Sequence, residues 1–152
     1  MIDRLPAADP LPESPREGEP RDPEERLLLA DPRLSEAIAL FNQGEWYACH
    51  DGFEELWHET QGAVRPLLQG VLQVAVAQLH LERGNLRGAT VLMGEGLGRL
   101  RRCGEQGLGL DLVALRQGVA LWLDTLQGGG STASLPPPRL VSVEPTRGGP
   151  TG

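Results

Sequence analysis

The segment ACHDGFEELWHE, residues 48–59, combines histidine and carboxylate side chains at a spacing that could support chemistry. On a helix, His50 and Glu54 lie one turn apart on the same face, and Trp57 continues that face three residues later. Asp51 lies one turn before Glu54 and Glu55 in the same way. Imidazole and carboxylate groups in this arrangement can bind a metal ion, exchange protons or orient a polar ligand.

A second polar line lies on the otherwise apolar segment that opens at Pro66. Gln69, Gln73 and His80 follow one another at intervals of four and seven residues, which places them on one side of a helix. If this helix packs against the helix that carries His50, the two lines meet. The sequence then predicts one internal polar cluster, with Trp57 beside it, formed by His50, Asp51, Glu54, Gln69, Gln73 and His80.

Four interpretations of this cluster remain open. Buried polar groups must be hydrogen-bonded, so the cluster could serve only to fix the register of two helices. It could instead bind a small molecule or an anion against the indole ring of Trp46 or Trp57. A divalent metal ion is the cofactor that His50, Glu54 and His80 would accept as a facial ligand set. A histidine held by a carboxylate could also act as an acid–base group without a metal.

The remaining reactive side chains carry weaker signals. Cys49 is expected to face the core and to be inert, and His58 is expected to be exposed near the end of its helix. Arginines 87, 99, 101 and 102 lie on or near one helix, where a cationic C-terminal turn complements the helix dipole. The alternative for these arginines is a patch that binds a small anion or an acidic partner.

Five helices are predicted to position these groups, at about 33–43, 46–60, 66–83, from Asn85 onward, and at 111–127. Apolar residues recur in each at intervals of three and four. The third helix is apolar on nearly all sides, which is typical of a central helix covered by its neighbours. Glycines 88, 94, 96 and 98 in the fourth helix predict the close approach of a partner helix.

A near-repeat relates the second and fourth helices. When Gly44 is aligned with Gly84, Trp46 meets Leu86 and the small Cys49 meets Ala89. A glycine turn followed by a large and then a small apolar residue resembles the tetratricopeptide-type hairpin. With only two copies, the sequence predicts a compact all-α bundle of about five helices, formed by two tetratricopeptide-like antiparallel pairs plus a closing helix.

The two ends of the chain differ from this middle part. Residues 1–31 are acidic and rich in proline and are expected to be disordered, although Asp22 and Pro23 could start a short helical turn. Residues 128–152 are rich in glycine and proline and predict a second disordered tail. The folded domain is therefore expected at 32–127.

Composition narrows the class of partner. The net charge of −7 and the pI of about 4.9 argue against nucleic acid and anionic membranes, because both attract positive surfaces. No apolar run approaches the roughly 20 residues of a membrane span, and the N-terminal segment lacks the pattern of a signal peptide. The two cysteines match no metal or redox spacing, so the cytoplasm is expected. An unknown small molecule or protein is the expected partner, and the oligomeric state stays open.

The blocks FNQGEWYACHDGFEELW and LQGVLQVAVAQLHLERGNLRGATVLMGEGL resemble the domain-of-unknown-function family 309. The likeness covers about residues 33–126 and is closest to the cyanobacterial and plastid branch of the family. The family signature His-(Glu/Asp)-x-x-Glu-x-x-Trp falls on His50, Asp51, Glu54 and Trp57. Its second block falls on Gln69, Gly70, Gln73, Ala75, His80, Gly84, Asn85, Gly88 and Ala89. The resemblance implies a compact all-helical domain and points to the same polar residues, and it implies no activity.

These observations favour a non-enzymatic ligand-binding or interaction module built around the polar cluster. The alternative is a metal-dependent hydrolase or oxygenase that uses His50, Glu54 and His80. Their side chains would then have to converge within about 4–5 Å of one point, because metal–ligand bonds are near 2 Å. A third hypothesis is a scaffold that binds proteins through an exposed, concave, tetratricopeptide-like groove.

Overall fold

The computed structural model describes residues 22–143 of the chain, which form six α-helices and one short β-hairpin. The helices are α1 (Pro23–Ala30), α2 (Pro32–Asn42), α3 (Trp46–Glu59), α4 (Arg65–Glu82), α5 (Leu86–Leu100) and α6 (Leu112–Gln127). The strands are β1 (Gln106–Gly107) and β2 (Leu110–Asp111), and they pair antiparallel. The all-α prediction is confirmed, and the five predicted helices correspond to α2–α6 with bounds that agree within one or two residues.

The folded part begins earlier than the predicted boundary at residue 32. The sequence predicts disorder up to residue 31, yet α1 occupies Pro23–Ala30. The sequence also predicted that Asp22 and Pro23 could start a short helical turn. The carboxylate of Asp22 does cap the helix, because it accepts a hydrogen bond from the Glu25 N–H at 2.7 Å. Leu28 is buried against the core, and this contact is not visible in the acidic composition of the segment. Residues 1–21 lie outside the described residues, so disorder there stays a prediction.

The chain after α6 also packs on the domain, although a disordered tail is predicted from residue 128. The side-chain amide of Asn42 donates to the Leu140 carbonyl at 2.9 Å, and the Leu140 N–H donates back to Asn42 at 2.8 Å. The indole N–H of Trp122 donates to the Pro136 carbonyl at 2.7 Å. Leu140 is only 3% exposed and Pro138 is also buried, so two buried side chains and a few hydrogen bonds hold a segment of glycine- and proline-rich composition. Residues 144–152 lie outside the described residues.

Helix α4 is the central element, as predicted, and packs against α3 on one side and α5 on the other. The backbones of α4 and α5 approach closely where Gly96 meets Gly70, because a Cβ atom on Gly96 would lie 3.0 Å from the Gly70 carbonyl oxygen. Of the four glycines predicted to admit a partner helix, Gly96 alone has this role, and Gly98 faces open space. Within residues 22–143, no helix combines the length and the apolar character needed to cross a membrane.

The hairpin between α5 and α6 is a feature that the sequence analysis did not predict. Its loop residues Leu108 and Gly109 have φ angles of 53° and 72°, the combination typical of a type I′ turn. Leucine is uncommon in this left-handed region. Leu108 is held there because its side chain is buried and its N–H donates to the carboxylate of Glu25 at 2.7 Å. The hairpin therefore links α1 to the region between α5 and α6.

Candidate functional site

Helix α3 carries the polar residues of the segment 48–59, and the packing of its apolar stripe fixes the direction in which they face. The helix follows a left-handed turn at Gly44, where φ is 76°. It buries the stripe of Trp46, Cys49, Phe53 and Leu56, and this orients the remaining faces. Gly52 allows α2 to approach, since a Cβ atom there would lie 3.2 Å from the Ala37 Cβ.

His50, Asp51 and Glu54 form a compact group, called the α3 group below, on the half-buried edge of α3. The His50 Nδ1 lies 3.2 Å from the Asp51 Oδ1, and the His50 Nε2 lies 3.5 Å from the Glu54 Oε1. One potential ligand atom from each of the three residues lies within 4.8 Å of the other two. Within residues 22–143, this is the one group of three or more histidine, cysteine or acidic side chains that is so close.

The two ring nitrogens of His50 differ in their surroundings. Nδ1 is enclosed and has no hydrogen-bond partner among the described residues, because its contact with Asp51 lacks hydrogen-bond geometry. Nε2 faces Glu54, whose side chain is 43% exposed. An incoming cation would therefore meet Nε2 and Glu54 first. Asp51, with a side chain that is 62% exposed, would reach the cation from its neighbouring position.

The second polar line is bonded to α5 and not to α3. The Gln73 amide donates to the Glu95 Oε1 at 3.1 Å and accepts from the Arg99 Nε at 2.9 Å. The ring of His80 lies 3.0 Å from the side-chain nitrogen of Asn85, the residue that caps α5. Gln69 is half-buried on α4.

These contacts therefore do not form the single internal cluster of six residues that the sequence predicted. No hydrogen bond of the described residues joins His50 or Glu54 to Gln69, Gln73 or His80. Instead, one group lies on α3, and a separate set of bonds ties α4 to α5. The physical reason is the rotation of α4, which presents Gln73 and His80 toward the neighbouring helix on its other side.

The predicted metal ligand set of His50, Glu54 and His80 is likewise divided. His80 does not join the compact group of ligand atoms, and its Nδ1 is in contact with Asn85. The third residue of the compact group is Asp51 and not His80. Asp51 belonged to the predicted polar cluster but not to the predicted metal ligand set.

The other side chains around the segment have structural surroundings. The guanidinium of Arg65 stacks on the ring of Trp57 at 4.2 Å from the ring centroid, a cation–π contact. His58 is exposed, as expected, and lies 3.8 Å from Glu54. Cys49 is fully buried, and burial raises the pKa of its thiol to about 12. The prediction that Cys49 faces the core and is inert agrees with this environment, because only a thiolate is strongly nucleophilic.

Sequence reasoning did not identify four contacts of the predicted residues, namely those of Trp57 with Arg65, of Gln73 with Glu95 and Arg99, and of His80 with Asn85. Asn85 was predicted as the start of the fourth helix, and its separation of five residues from His80 spans the glycine turn between the two helices. Arg65 and Glu95 carry no such local signal, because each contacts a side chain of the preceding helix and that contact depends on how the two helices pack.

Comparison with known families gives one match. Residues 34–92 match the model of the family described as Domain of unknown function (DUF309). The matched range contains the whole α3 group and the polar line of α4. A comparison with curated proteins found no match. The match over residues 34–92 agrees with the resemblance of the signature residues to this family, while the cyanobacterial and plastid branch stays a prediction.

Proposed function

We propose that this domain is a non-enzymatic ligand-binding module and that His50, Asp51 and Glu54 bind a divalent transition-metal ion. The observation that supports the proposal is the distance limit of 4.8 Å among their potential ligand atoms. Metal bonds to imidazole nitrogen and carboxylate oxygen are about 2.0–2.2 Å long, so neighbouring ligand atoms in an occupied site lie roughly 3 Å apart. The His50 Nε2 and the Glu54 Oε1, at 3.5 Å, need only a small side-chain adjustment to reach this spacing.

The chemistry of the ligand atoms favours one class of cation. Imidazole suits zinc and its neighbours in the first transition row, whereas magnesium and calcium prefer oxygen ligands alone. The side chains of Asp51 and Glu54 are partly exposed, so water would complete the coordination shell. Such an open and solvated site fits exchangeable metal binding better than a site that encloses a substrate.

The hydrolase or oxygenase alternative depends on a different ligand set. It requires His80 together with His50 and Glu54, and His80 contacts Asn85 instead. The two proposals therefore differ in one residue, since the binding module uses Asp51 where the enzyme uses His80.

Titration of the purified protein with Zn²⁺ and Co²⁺ tests the proposal, with calorimetry and the visible absorption of cobalt as readouts. We expect one metal ion per chain in the parent protein and loss of binding in His50→Ala and Glu54→Gln. His58→Ala is the matched control, because His58 lies at the exposed side of the same Glu54 and should leave binding intact. Loss of binding in His80→Ala as well would favour the enzyme alternative. No binding in the parent protein would refute the proposed function.

A further inference from the structure

The walls of a cavity of about 480 Å³ include none of the residues of the α3 group. Small-molecule sites in proteins commonly have volumes of about 300–1,000 Å³. Four segments meet here, namely the start of α1, the chain entering α4, the end of α5 and strand β1. The residues that contribute to its walls include Asp22, Glu25, Arg99 and Arg102.

Two arginines supply the cationic part of the wall. Arg99 is oriented by the bond from its Nε to Gln73, and its two terminal nitrogens have no hydrogen-bond or ion-pair partner among the described residues. Arg102 has no such partner within residues 22–143 either. A guanidinium offers five N–H donors in a planar fork that matches a carboxylate. Both side chains thus retain donors that a bound anion would satisfy.

The two acidic residues of the wall already have backbone partners. Asp22 accepts the Glu25 N–H at 2.7 Å, and Glu25 accepts the Leu108 N–H at 2.7 Å. Neither carboxylate forms an ion pair with Arg99 or Arg102. With two cations and two anions, the wall has a formal charge of zero. A multiply charged anion therefore gains little from the cavity as a whole, while one carboxylate at the arginine end gains directional hydrogen bonds.

The rest of the wall is largely apolar. Val64, Pro66 and Leu67 lie at the beginning of α4. Burial raises the pKa of the Cys103 thiol, which keeps it neutral beside them. The loop at Gly104 is fixed by Arg116, which donates to the carbonyls of Leu100 and Gly104. Val64 gives α4 no side-chain cap, and the positive end of the helix dipole adds to the preference for an anion.

We propose that this cavity binds a small organic monocarboxylate, with its carboxylate on Arg99 and Arg102 and its apolar body against Val64, Pro66 and Leu67. The site is separate from the α3 group, and its occupation does not require a metal ion. The sequence analysis offered a patch for a small anion as the alternative role of the arginines at the end of α5. The proposed site defines the position of that patch and the class of its ligand.

The test is calorimetric or NMR titration with hexanoate in the presence of a chelator, which removes any contribution of the α3 group. Hexanamide, which has the same apolar body without the charge, and inorganic phosphate are the comparison ligands. We expect hexanoate to bind at least about tenfold more tightly than either comparison ligand. Hexanamide lacks the charge that strengthens hydrogen bonds to the arginines. Phosphate lacks the apolar body that would contact Val64, Pro66 and Leu67. Equal binding of hexanoate and hexanamide, or tighter binding of phosphate, would overturn the proposal.

Variants locate the site. Arg102→Gln alters an exposed side chain and should weaken hexanoate binding about tenfold without affecting the fold. Arg99→Lys retains the charge and should also weaken binding, because lysine lacks the planar fork. Arg101→Gln is the matched control, since Arg101 is adjacent and exposed but does not line the cavity. If Arg101→Gln weakens binding as much as Arg102→Gln does, the effect is one of general surface charge and the proposed site is wrong.

Discussion

At the scale of the residue, Arg33 joins the start of α2 to the end of α3. Its Nη2 lies 2.8 Å from the Asp31 Oδ2 and 2.8 Å from the Glu59 Oε1, and its Nη1 lies 3.4 Å from the Glu55 Oε2. Hydrogen bonds from Arg33 hold the pKa values of Asp31 and Glu59 below their ordinary range. The hydrogen bond to Glu59 is also the main reason that the pKa of Arg33 is raised. The exposed end of α3 is thereby tied to the cap of α2.

This network predicts a pH-dependent effect of Arg33→Met on stability. A carboxyl group whose pKa is lowered in the folded state stabilises the fold above its ordinary pKa, and that contribution is lost as the pH falls through the folded-state value. The ordinary values are 3.8 for Asp31 and 4.5 for Glu59. We therefore expect Arg33→Met to be less stable than the parent protein at neutral pH, with a difference that shrinks below about pH 5.

Urea denaturation at a series of pH values measures this difference. Arg83→Met is a suitable control, because Arg83 is exposed and forms no ion pair within residues 22–143. We expect its free energy of unfolding to follow that of the parent protein at every pH. A loss in Arg33→Met that stays constant from neutral to acidic pH would show that the ion pairs do not contribute.

At the scale of the element, the bounds of the helices are the part of the fold that the sequence predicts well. Gly44 and Gly84 both adopt positive φ angles at the predicted turns, and Asn85 and Asp111 cap α5 and α6 through their side chains. These signals are local, since each depends on a few consecutive residues. Strand β1 and the pairing of residues near Leu140 escape prediction because they depend on partners elsewhere in the chain.

The candidate site shows the same limit in a different form. His50 and Glu54 are correctly predicted to lie together, because four residues along one helix fix their relation. Gln73 was expected to face them, and it bonds Glu95 and Arg99 instead. Spacing identifies which side chains share a face, but the rotation of α4 between its two neighbours is decided by packing of the whole core.

The glycines of α5 provide a matched pair for testing helix packing. Gly96→Ala would place a Cβ atom 3.0 Å from the Gly70 carbonyl oxygen, and a backbone atom cannot move aside easily. We expect a destabilisation of about 1–3 kcal/mol. Gly98→Ala meets nothing within 4 Å and should stabilise the domain by about 0.5–1 kcal/mol through helix propensity. Thermal and urea unfolding of the two variants measure these effects, and changes of the same sign would contradict the described contact of α4 with α5.

At the scale of the whole molecule, the helices pack mainly against their neighbours in sequence, and the final described segment crosses back over them. The Asp111 N–H donates to the Val141 carbonyl at 2.8 Å, and the Val143 N–H donates to the Gly109 carbonyl at 2.9 Å. Together with the bonds between Asn42 and Leu140, these contacts connect α2, the hairpin and the segment after α6. The segment after α6 thus ties α2 to the hairpin.

The substitution Leu140→Ala tests how much the packing of the segment after α6 contributes to the stability of the domain. Leu140 is 3% exposed, and truncation of a buried leucine costs about 2–5 kcal/mol. Val141→Ala is the control, since Val141 is 44% exposed and should change the free energy of unfolding by less than about 0.5 kcal/mol. Equilibrium unfolding in urea distinguishes the two. Similar small effects in both variants would mean that the segment contributes little to the fold.

The pairing of Asn42 with Leu140 spans 98 positions in the sequence, and this separation has a consequence for the newborn chain. During synthesis, α2 through α5 emerge and can pack in turn before residue 140 has been made. Until then, water must hydrate the side-chain amide of Asn42 and the apolar surface that Leu140 later covers. Local helix pairs form first because their contacts close short loops. The ribosome therefore has to deliver nearly the whole described chain before the domain reaches its full stability.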